Sequence, residues 1–332
     1  MSLIPTIYSS TDPGAPQLSG TAGSLISVLR AVLVNGYGTA PNDKPGLGWA
    51  EEFTDTNKVV FQNSQDAGSG YRLRVLDDGS ASAGGSARSA SVRAFSTMTD
   101  IDNGLDPTPT TTDMPNGVIW PKSTVLSSAT RPWWAIGNER CMYLFTDVQG
   151  VGGADVPLFA GDLLSIKPGD QHAFALNSSD AGAYTGNLAY SHSRLFNSLA
   201  AMSTTPNSGS ALIIGRSHSG APGAVRGNNV NTLANFGNSY GGTSGLPYPV
   251  PASGGLIMDR PWVNDGANSP RGFYPGLYVP QHEQPFADLG VIEEPEGFPS
   301  GTVLVAKNFR ALSQGSVAGR GQVFFDVTAE WI

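Results

Sequence analysis

One segment near the N-terminus repeats its apolar residues with the spacing of an amphipathic helix. The residues at i, i+3, i+4, i+7 and i+8 positions are Leu25, Val28, Leu29, Val32 and Leu33. Ser19 or Thr21 can cap the first turn, and Asn35-Gly36 can end the helix in a left-handed conformation. The pattern therefore predicts a helix over residues 21–34.

Most other apolar residues alternate with polar ones or form short runs, which is typical of β-strands. Alternation is clearest over residues 71–75, and the glycines of 79–85 can turn this strand back into a partner over 90–95. Further strands are predicted at residues 58–62, 117–120, 133–136, 141–148, 163–166, 211–214, 302–306 and 322–328. A second, weaker helical pattern covers residues 193–202. We therefore expect a β-dominated α+β fold with short antiparallel strands, in which the first helix covers a sheet formed by strands between Lys58 and Trp134.

The chain divides into two parts by composition. We predict an N-terminal α+β domain over residues 1–118 and a β-rich domain over 119–332, with a single intertwined domain as the alternative. Residues 203–255 consist mostly of Gly, Ser, Asn, Pro and Thr, with one apolar island at 211–214. This composition also fits a flexible linker. Long segments of this kind in a compact chain are usually functional or interfacial, so ordered Gly/Pro-rich surface loops are the expectation that we prefer.

Composition and charge exclude several classes of protein. Charged residues make up 14 % of the 332 residues, well below the roughly 25 % of an average soluble domain. The net charge is −8 and Lys and Arg are not clustered, which argues against a nucleic-acid partner. The first residues lack the features of a signal peptide, and the longest apolar stretch, 25–34, is too short to span a membrane. We expect a soluble chain in a cytoplasm, without a membrane partner. Its single cysteine, Cys141, lies in an apolar run and is predicted to be a buried thiol.

One segment has the form of a metal-binding motif. Residues 161–172 look like the second motif of cupins, in which a strand, a Pro/Gly turn and a histidine, here His172, present an imidazole inside a barrel. Lys167 stands where that motif has proline, and residues 133–157 contain no histidine for the first motif. A metal needs three or four ligands, and His172 with Asp170 does not supply them. The histidines share no ligand spacing; they are His172, His192, His218 and His282. We predict a plain strand-turn-strand and no metal or cofactor site.

Another segment matches a hydrolase pattern. Gly237-Asn238-Ser239-Tyr240-Gly241 has the form G-x-S-x-G, and His282 and Asp288 could complete a triad. The nucleophile elbow requires a strand before the serine and a helix after it, but the flanks are rich in Asn, Gly and Ser. We interpret the match as chance in a Gly/Ser-rich chain and predict no catalytic residue.

Carboxylates and tryptophans are the remaining candidates for carbohydrate chemistry. The carboxylates of Glu51-Glu52 and Glu293-Glu294-Pro295-Glu296 could serve glycoside hydrolysis only if a pair lay about 5–9 Å apart in a cleft. Adjacent residues of a loop point in different directions, so we predict solvated acidic loops. The pair Trp133-Trp134 could form a sugar platform, but successive residues of a strand face opposite sides, which predicts one indole in the core.

The order of short motifs along the chain is more specific than any of these patterns. The matching segments are residues 12–16, 21–26, 33–38, 48–49, 71–75, 98–102, 120–123, 129–133, 161–162, 167–170 and 271–277. In this order they resemble a family of uncharacterised virion structural proteins encoded by tailed bacteriophages, over about residues 6–277.

The resemblance implies a non-enzymatic component of the phage particle with no catalytic residues to carry over. We expect it in the tail, baseplate or neck of the virion, with other phage structural proteins and copies of itself as partners. A capsid decoration protein is the alternative within this class. A carbohydrate-binding receptor-binding protein, with a host surface glycan as partner, is the alternative from another class. Few charges and many aromatic residues suit large protein interfaces, provided that some aromatics are exposed.

Overall fold

A computed structural model describes residues 3–79, 88–150, 155–177, 195, 212–230, 248–250, 254–265, 269–282, 285–313 and 316–332. Among these residues, 42 % lie in strands and 5 % in helix, which confirms the predicted β-dominated class with one helix. The strands are β1 Thr6–Ser9, β2 Ala50–Asp55, β3 Lys58–Gln62, β4 Arg72–Leu76, β5 Ser89–Phe95, β6 Thr97–Met98, β7 Gly104–Leu105, β8 Val118–Pro121, β9 Trp133–Gly137, β10 Cys141–Asp147, β11 Asp155–Asp162, β12 Leu164–Ser165, β13 Phe174–Asn177, β14 Leu212–Arg216, β15 Pro222–Val230, β16 Met258–Asp259, β17 Trp262–Asn264, β18 Pro270–Phe273, β19 Leu277–Pro280, β20 Val291–Glu293, β21 Val303–Ser313 and β22 Ser316–Asp326. The helix is α1 Ser24–Arg30, which continues into a π-helical segment, Ala31–Asn35.

A ten-stranded antiparallel sheet forms the middle layer, in the order β1-β9-β10-β11-β13-β14-β15-β17-β18-β12. Its strand β10 is apolar at nearly every position because both faces of the sheet are covered. Met142 and Leu144 lie in one core, whereas Tyr143 and Phe145 lie in another on the opposite face. Period-two alternation thus divides a continuous hydrophobic run between two cores.

The first core lies between this sheet and a five-stranded sheet of order β2-β3-β4-β5-β8, and the helix contributes to the same core. Leu25, Leu29 and Leu33 on the helix are fully buried against strand residues such as Val59 and Leu73. The helix therefore covers the sheet as predicted. One part of that prediction is wrong, because β9 belongs to the ten-stranded sheet, where it pairs with β1 and β10.

The second core lies on the opposite face of the ten-stranded sheet. There β19, β21 and β22 belong to another five-stranded sheet, of order β16-β19-β22-β21-β20. The long hairpin of β21 and β22 contributes Val305, Val323 and Phe325, and Phe325 contacts Tyr143 at a ring-centroid distance of 4.9 Å. The described residues thus contain three large sheets with two large cores between them, besides the two-stranded sheet of β6 and β7 and two small apolar clusters.

The start of the helix differs from the prediction. Neither Ser19 nor Thr21 caps it; Gly23 occupies the N-cap with a φ of 76° and no side-chain cap. The amide of Leu25 instead donates to Oδ2 of Asp77 at 2.9 Å. A distant, buried carboxylate therefore does the work that a local cap residue was expected to do.

The end of the helix follows the predicted Asn35-Gly36 signal in a modified form. The amide of Gly36 donates to the carbonyl of Ala31, five residues back, which closes a π-helical turn. Gly36 has a φ of 71°, and a Cβ atom there would lie 2.1 Å from the carbonyl oxygen of Lys44. Glycine is required because both the backbone conformation and the close approach exclude a side chain.

The predicted domain boundary and the predicted loops at 203–255 can be compared with the observed strands. The boundary at residues 118 and 119 falls inside β8, and β1 pairs with β9 across it. Residues 203–255 are not loops throughout, because β14 and β15 form a hairpin within them. The predicted helix at 193–202 lies outside the described residues, apart from the buried Leu195, and the turn at 79–85 does so apart from Gly79.

Candidate functional site

A polar groove lies between the loop after β3, residues 63–71, and the segment that joins β11 to β13, residues 162–173. It consists of two adjoining depressions of about 350 and 540 Å³, within the usual range for ligand pockets. The first depression is lined by residues that include Arg140, Asp162, Lys167 and Gly169. The second is lined by residues that include Gln65, Arg72, Ser96, Thr97 and His172. Gly68, Ser69 and Gln171 line both depressions, so the two depressions adjoin.

The floor of the first depression is the buried carboxylate of Asp162, at the end of β11. Its oxygens accept hydrogen bonds from the amide of Ser69 at 2.7 Å, the hydroxyl of Ser69 at 2.6 Å and the side-chain amide of Asn63 at 3.0 Å. Burial raises the pKa of Asp162 to about 6, although these donors oppose the rise. Gly68 lets the loop approach, since a Cβ atom there would lie 2.8 Å from Oδ2 of Asp162.

Asp170 holds the opposite wall together. Its carboxylate pairs with the fully buried Arg271 at 2.8 Å and accepts from the hydroxyl of Ser165 at 2.6 Å and the amide of His172 at 3.1 Å. Arg271 also donates to the carbonyl oxygen of His172 at 3.0 Å. The carboxylate of Asp170 is therefore committed to the fold of its own turn.

His172 joins the two walls. Its Nδ1 lies 2.9 Å from the hydroxyl of Tyr71, whose ring stacks on Phe174 at a centroid distance of 5.3 Å. Burial, and secondarily the charge of Arg216, lowers the pKa of His172, and burial raises the pKa of Tyr71. Both side chains are therefore neutral near pH 7, and their hydrogen bond closes one end of the groove.

The contacts of Asp170 and His172 argue against the cupin-like metal motif at residues 161–172. Asp170 and His172 face Arg271 and Tyr71 rather than a shared ion. In the ranges that the structure describes, no three His, Cys, Asp or Glu side chains lie where they could hold a metal. The segment contains β12, Leu164–Ser165, followed by a turn, so the predicted strand-turn arrangement is present in shortened form.

The structure does not bring the residues of the hydrolase pattern together, within the ranges that it describes. Residues 237–241 and His192 lie outside the described residues. His282 is buried, and its Nε2 accepts from the amide of Ile257 at 2.9 Å. Asp288 accepts from Lys307 at 2.8 Å and from the amide of Asn308 at 2.7 Å. Both proposed triad partners therefore have structural partners of their own.

The prediction that Glu51-Glu52 lies in a solvated acidic loop is wrong. It lies on β2 rather than in a solvated loop, and a β-bulge interrupts the strand register between Glu51 and Phe53. Glu51 pairs with Arg30 of the helix at 2.6 Å, and Glu52 pairs with Arg72 of β4 at 2.9 Å. The bulge and two partners from separate elements were not visible in the local sequence. The other group is solvated as predicted, since Glu293, Glu294 and Glu296 are exposed.

The tryptophan pair also differs from its prediction. Both indoles are buried, Trp133 at 2 % and Trp134 at 5 % exposure, because the two faces of β9 are both covered. The sugar-platform hypothesis for this pair is therefore wrong. Cys141 is fully buried and free, as predicted, and burial raises the pKa of its thiol.

Sequence reasoning missed the groove because its residues come from separate loops. The available signal was the polar, Gly-containing run from residue 63 to 70 between two predicted strands. Nothing local shows that this run meets residues 162–173, about a hundred positions later.

The fold and groove define a class: a β-dominated α+β protein with a polar surface groove. No protein-family model matches the chain, and no curated protein matches it. Among the helical residues that the structure describes, none forms a segment long and apolar enough to cross a membrane.

Proposed function

We propose that the protein is a non-enzymatic structural component of a tailed-phage virion, in the tail, baseplate or neck, acting through protein–protein assembly. The ordered motif resemblance supports the class of particle. The structural observation that carries the assembly role is the edge formed by β20, which pairs with β21 on one side. Leu289 and Val291 at this edge are 45 % and 58 % exposed.

An edge strand with exposed apolar residues is a template for strand addition by another chain. Its backbone groups supply the hydrogen bonds, and apolar contacts add the affinity. A symmetric particle can repeat such a contact between copies or between different proteins. A capsid decoration protein is the alternative, since it would use the same kind of contact at another position in the particle.

Electron cryomicroscopy of purified particles tests this proposal. We expect density for the chain in the tail, baseplate or neck, with β20 buried against a neighbour. Density on the capsid surface would favour the decoration alternative, and absence from the particle would overturn the proposal.

A substitution at the edge gives an independent test. Val291→Lys should lower the incorporation of the chain into particles, because it places a charge in the proposed contact. Val125→Lys is a matched control, since Val125 is also apolar and 47 % exposed but lies outside the named strands. Equal incorporation of both variants would contradict the role of this edge.

The groove supports a second candidate function, a receptor-binding protein that recognises host-surface carbohydrate. Its two depressions adjoin, and its hydroxyl and amide side chains can exchange hydrogen bonds with sugar hydroxyls.

A further inference from the structure

Two cations in the first depression have no carboxylate partner. In the described part of the chain, neither Arg140 nor Lys167 forms an ion pair. The Nε of Arg140 is buried without a hydrogen-bond partner. The Nζ of Lys167 donates a hydrogen bond to the carbonyl oxygen of His218 at 2.9 Å and can donate two further hydrogen bonds.

The acidic residues of the same depression are already occupied. Asp170 is paired with Arg271, and Asp162 accepts from Ser69 and Asn63. The charge of Arg140 acts on Asp162 without an ion pair between them. In a protein of net charge −8, two cations left without acidic partners in one depression are therefore available to an external anion.

The second depression offers different chemistry. Its lining includes the neutral hydrogen-bonding side chains of Gln65, Ser96, Thr97 and Gln171, and its arginine, Arg72, is paired with Glu52. Such a surface fits a ligand rich in hydroxyl groups, and its position next to the first depression fits a ligand that spans both.

We propose that the groove binds a carboxylate-bearing oligosaccharide. Its carboxylate pairs with Arg140 and Lys167, and its neighbouring sugar hydroxyls bond to the second depression. This inference rests on the second candidate function, the recognition of carbohydrate. An acidic peptide could share the ion pairs but lacks the row of hydroxyl groups, so the observations favour the saccharide.

Isothermal titration calorimetry of the full-length purified chain tests the proposal. The probes are a galacturonic acid hexamer, a neutral maltohexaose and a glutamate hexapeptide, each at low and high salt. We expect the uronic acid hexamer to bind more tightly than the other two and to weaken with salt, because exposed ion pairs are screened.

Gly169 allows a matched pair of variants that leaves both cations in place. It has a φ of 64° and nothing within 4 Å of an added Cβ, so aspartate and asparagine should both be tolerated there. Gly169→Asp adds a negative charge to the depression and should weaken binding of the uronic acid hexamer about tenfold relative to Gly169→Asn.

Removing the cations tests their roles directly. Arg140→Gln and Lys167→Gln should each weaken binding by about tenfold or more, whereas Arg30→Gln, which lies on the helix, should not. Melting temperatures identify any variant that fails to fold, in which case the Gly169 pair decides.

The outcomes separate clearly. Equal binding of maltohexaose, or equal affinity of the two Gly169 variants, would show that no carboxylate is recognised here. Tighter binding of the glutamate peptide would assign the groove to an acidic protein segment instead. No binding of any probe would overturn both this inference and the carbohydrate role, whereas the virion proposal would be decided by the particle experiments alone.

Discussion

The layer beneath the helix and the floor of the groove each bury an aspartate, but they hold it by different chemistry. Asp77 pairs with the buried ammonium of Lys122 and accepts from the first turn of the helix. Within the described part of the chain, Asp162 forms no ion pair, and it accepts from three neutral donors of the loop at residues 63–71. Burial raises the pKa of each carboxyl to about 6.

The difference separates a structural contact from a surface that can bind. Lys122 is fully buried and forms its ion pair with Asp77, so the two charges beneath the helix neutralise each other within the fold. At the groove, neutral donors stabilise the acid, and among the described residues Arg140 forms no ion pair and its Nε has no hydrogen-bond partner. The sharpest tests of this comparison place or remove charge in one region at a time.

The largest effect is expected under the helix. Leu29 is fully buried, so Leu29→Asp buries a charge without a partner and should lower the free energy of unfolding by about 4 kcal/mol or more. Thermal melting followed by circular dichroism measures the loss. Leu126→Asp is the control, because Leu126 is 66 % exposed and should tolerate the change. A Leu29→Asp variant with the melting temperature of the wild type would contradict the buried helix face.

Breaking the ion pair beneath the helix should have the next largest effect. Lys122→Met leaves Asp77 buried without its cation and should cost about 3–5 kcal/mol in urea denaturation. The double variant Lys122→Met with Asp77→Asn should recover part of this loss, since it removes the stranded charge. Lys58→Met is the matched control, because its partner Asp102 is 57 % exposed and such pairs contribute little. Equal losses of unfolding free energy in the Lys122→Met and Lys58→Met variants would contradict the distinction between the buried and the exposed ion pair.

The smallest effect is a pH dependence at the groove. The pKa of Asp162 is about 6 when folded against a usual 3.8, so the folded chain binds more protons between these values. The stability of the wild type relative to Asp162→Asn should therefore fall by about 2 kcal/mol as pH rises from 4 to 6, reach a total loss of about 3 kcal/mol near pH 7, and stay level above.

Urea denaturation across this pH range checks the sign. Extending the measurement below pH 4 adds Asp100→Asn as a control of opposite direction, because hydrogen bonds from Asn103 and Asp102 lower the pKa of the exposed Asp100, so its contribution to stability is lost as pH falls. A wild type that gains stability over Asp162→Asn between pH 4 and pH 6 would refute the role of burial at Asp162.

Elements with strong local patterns were predictable. The helix face around Leu29 and the strand Lys58–Gln62 follow from periodicity, since each repeats apolar residues with the spacing of its element. The strand Asp155–Asp162 was missed because Pro157 and Gly161 interrupt its apolar run.

The contacts that give the groove its chemistry were not predictable from spacing. Asp162 meets Ser69 from 93 positions away, and Asp77 meets Leu25 from 52 positions away. Such pairs are set by how sheets stack, and a single sequence carries no local signal of that. Burial of both tryptophans of β9 has the same cause, because a second covering sheet could not be inferred from the strand itself.

The close approach of Gly68 to Asp162 limits how this surface can vary. A side chain at Gly68 would meet the carboxylate, whereas the neighbouring Gln65 and Asp66 are exposed and free to change. One position thus preserves the depth of the groove while adjacent positions can alter its rim. The loop can in this way acquire a new preference for a ligand by substitution at its exposed residues, with the buried aspartate and its donors unchanged.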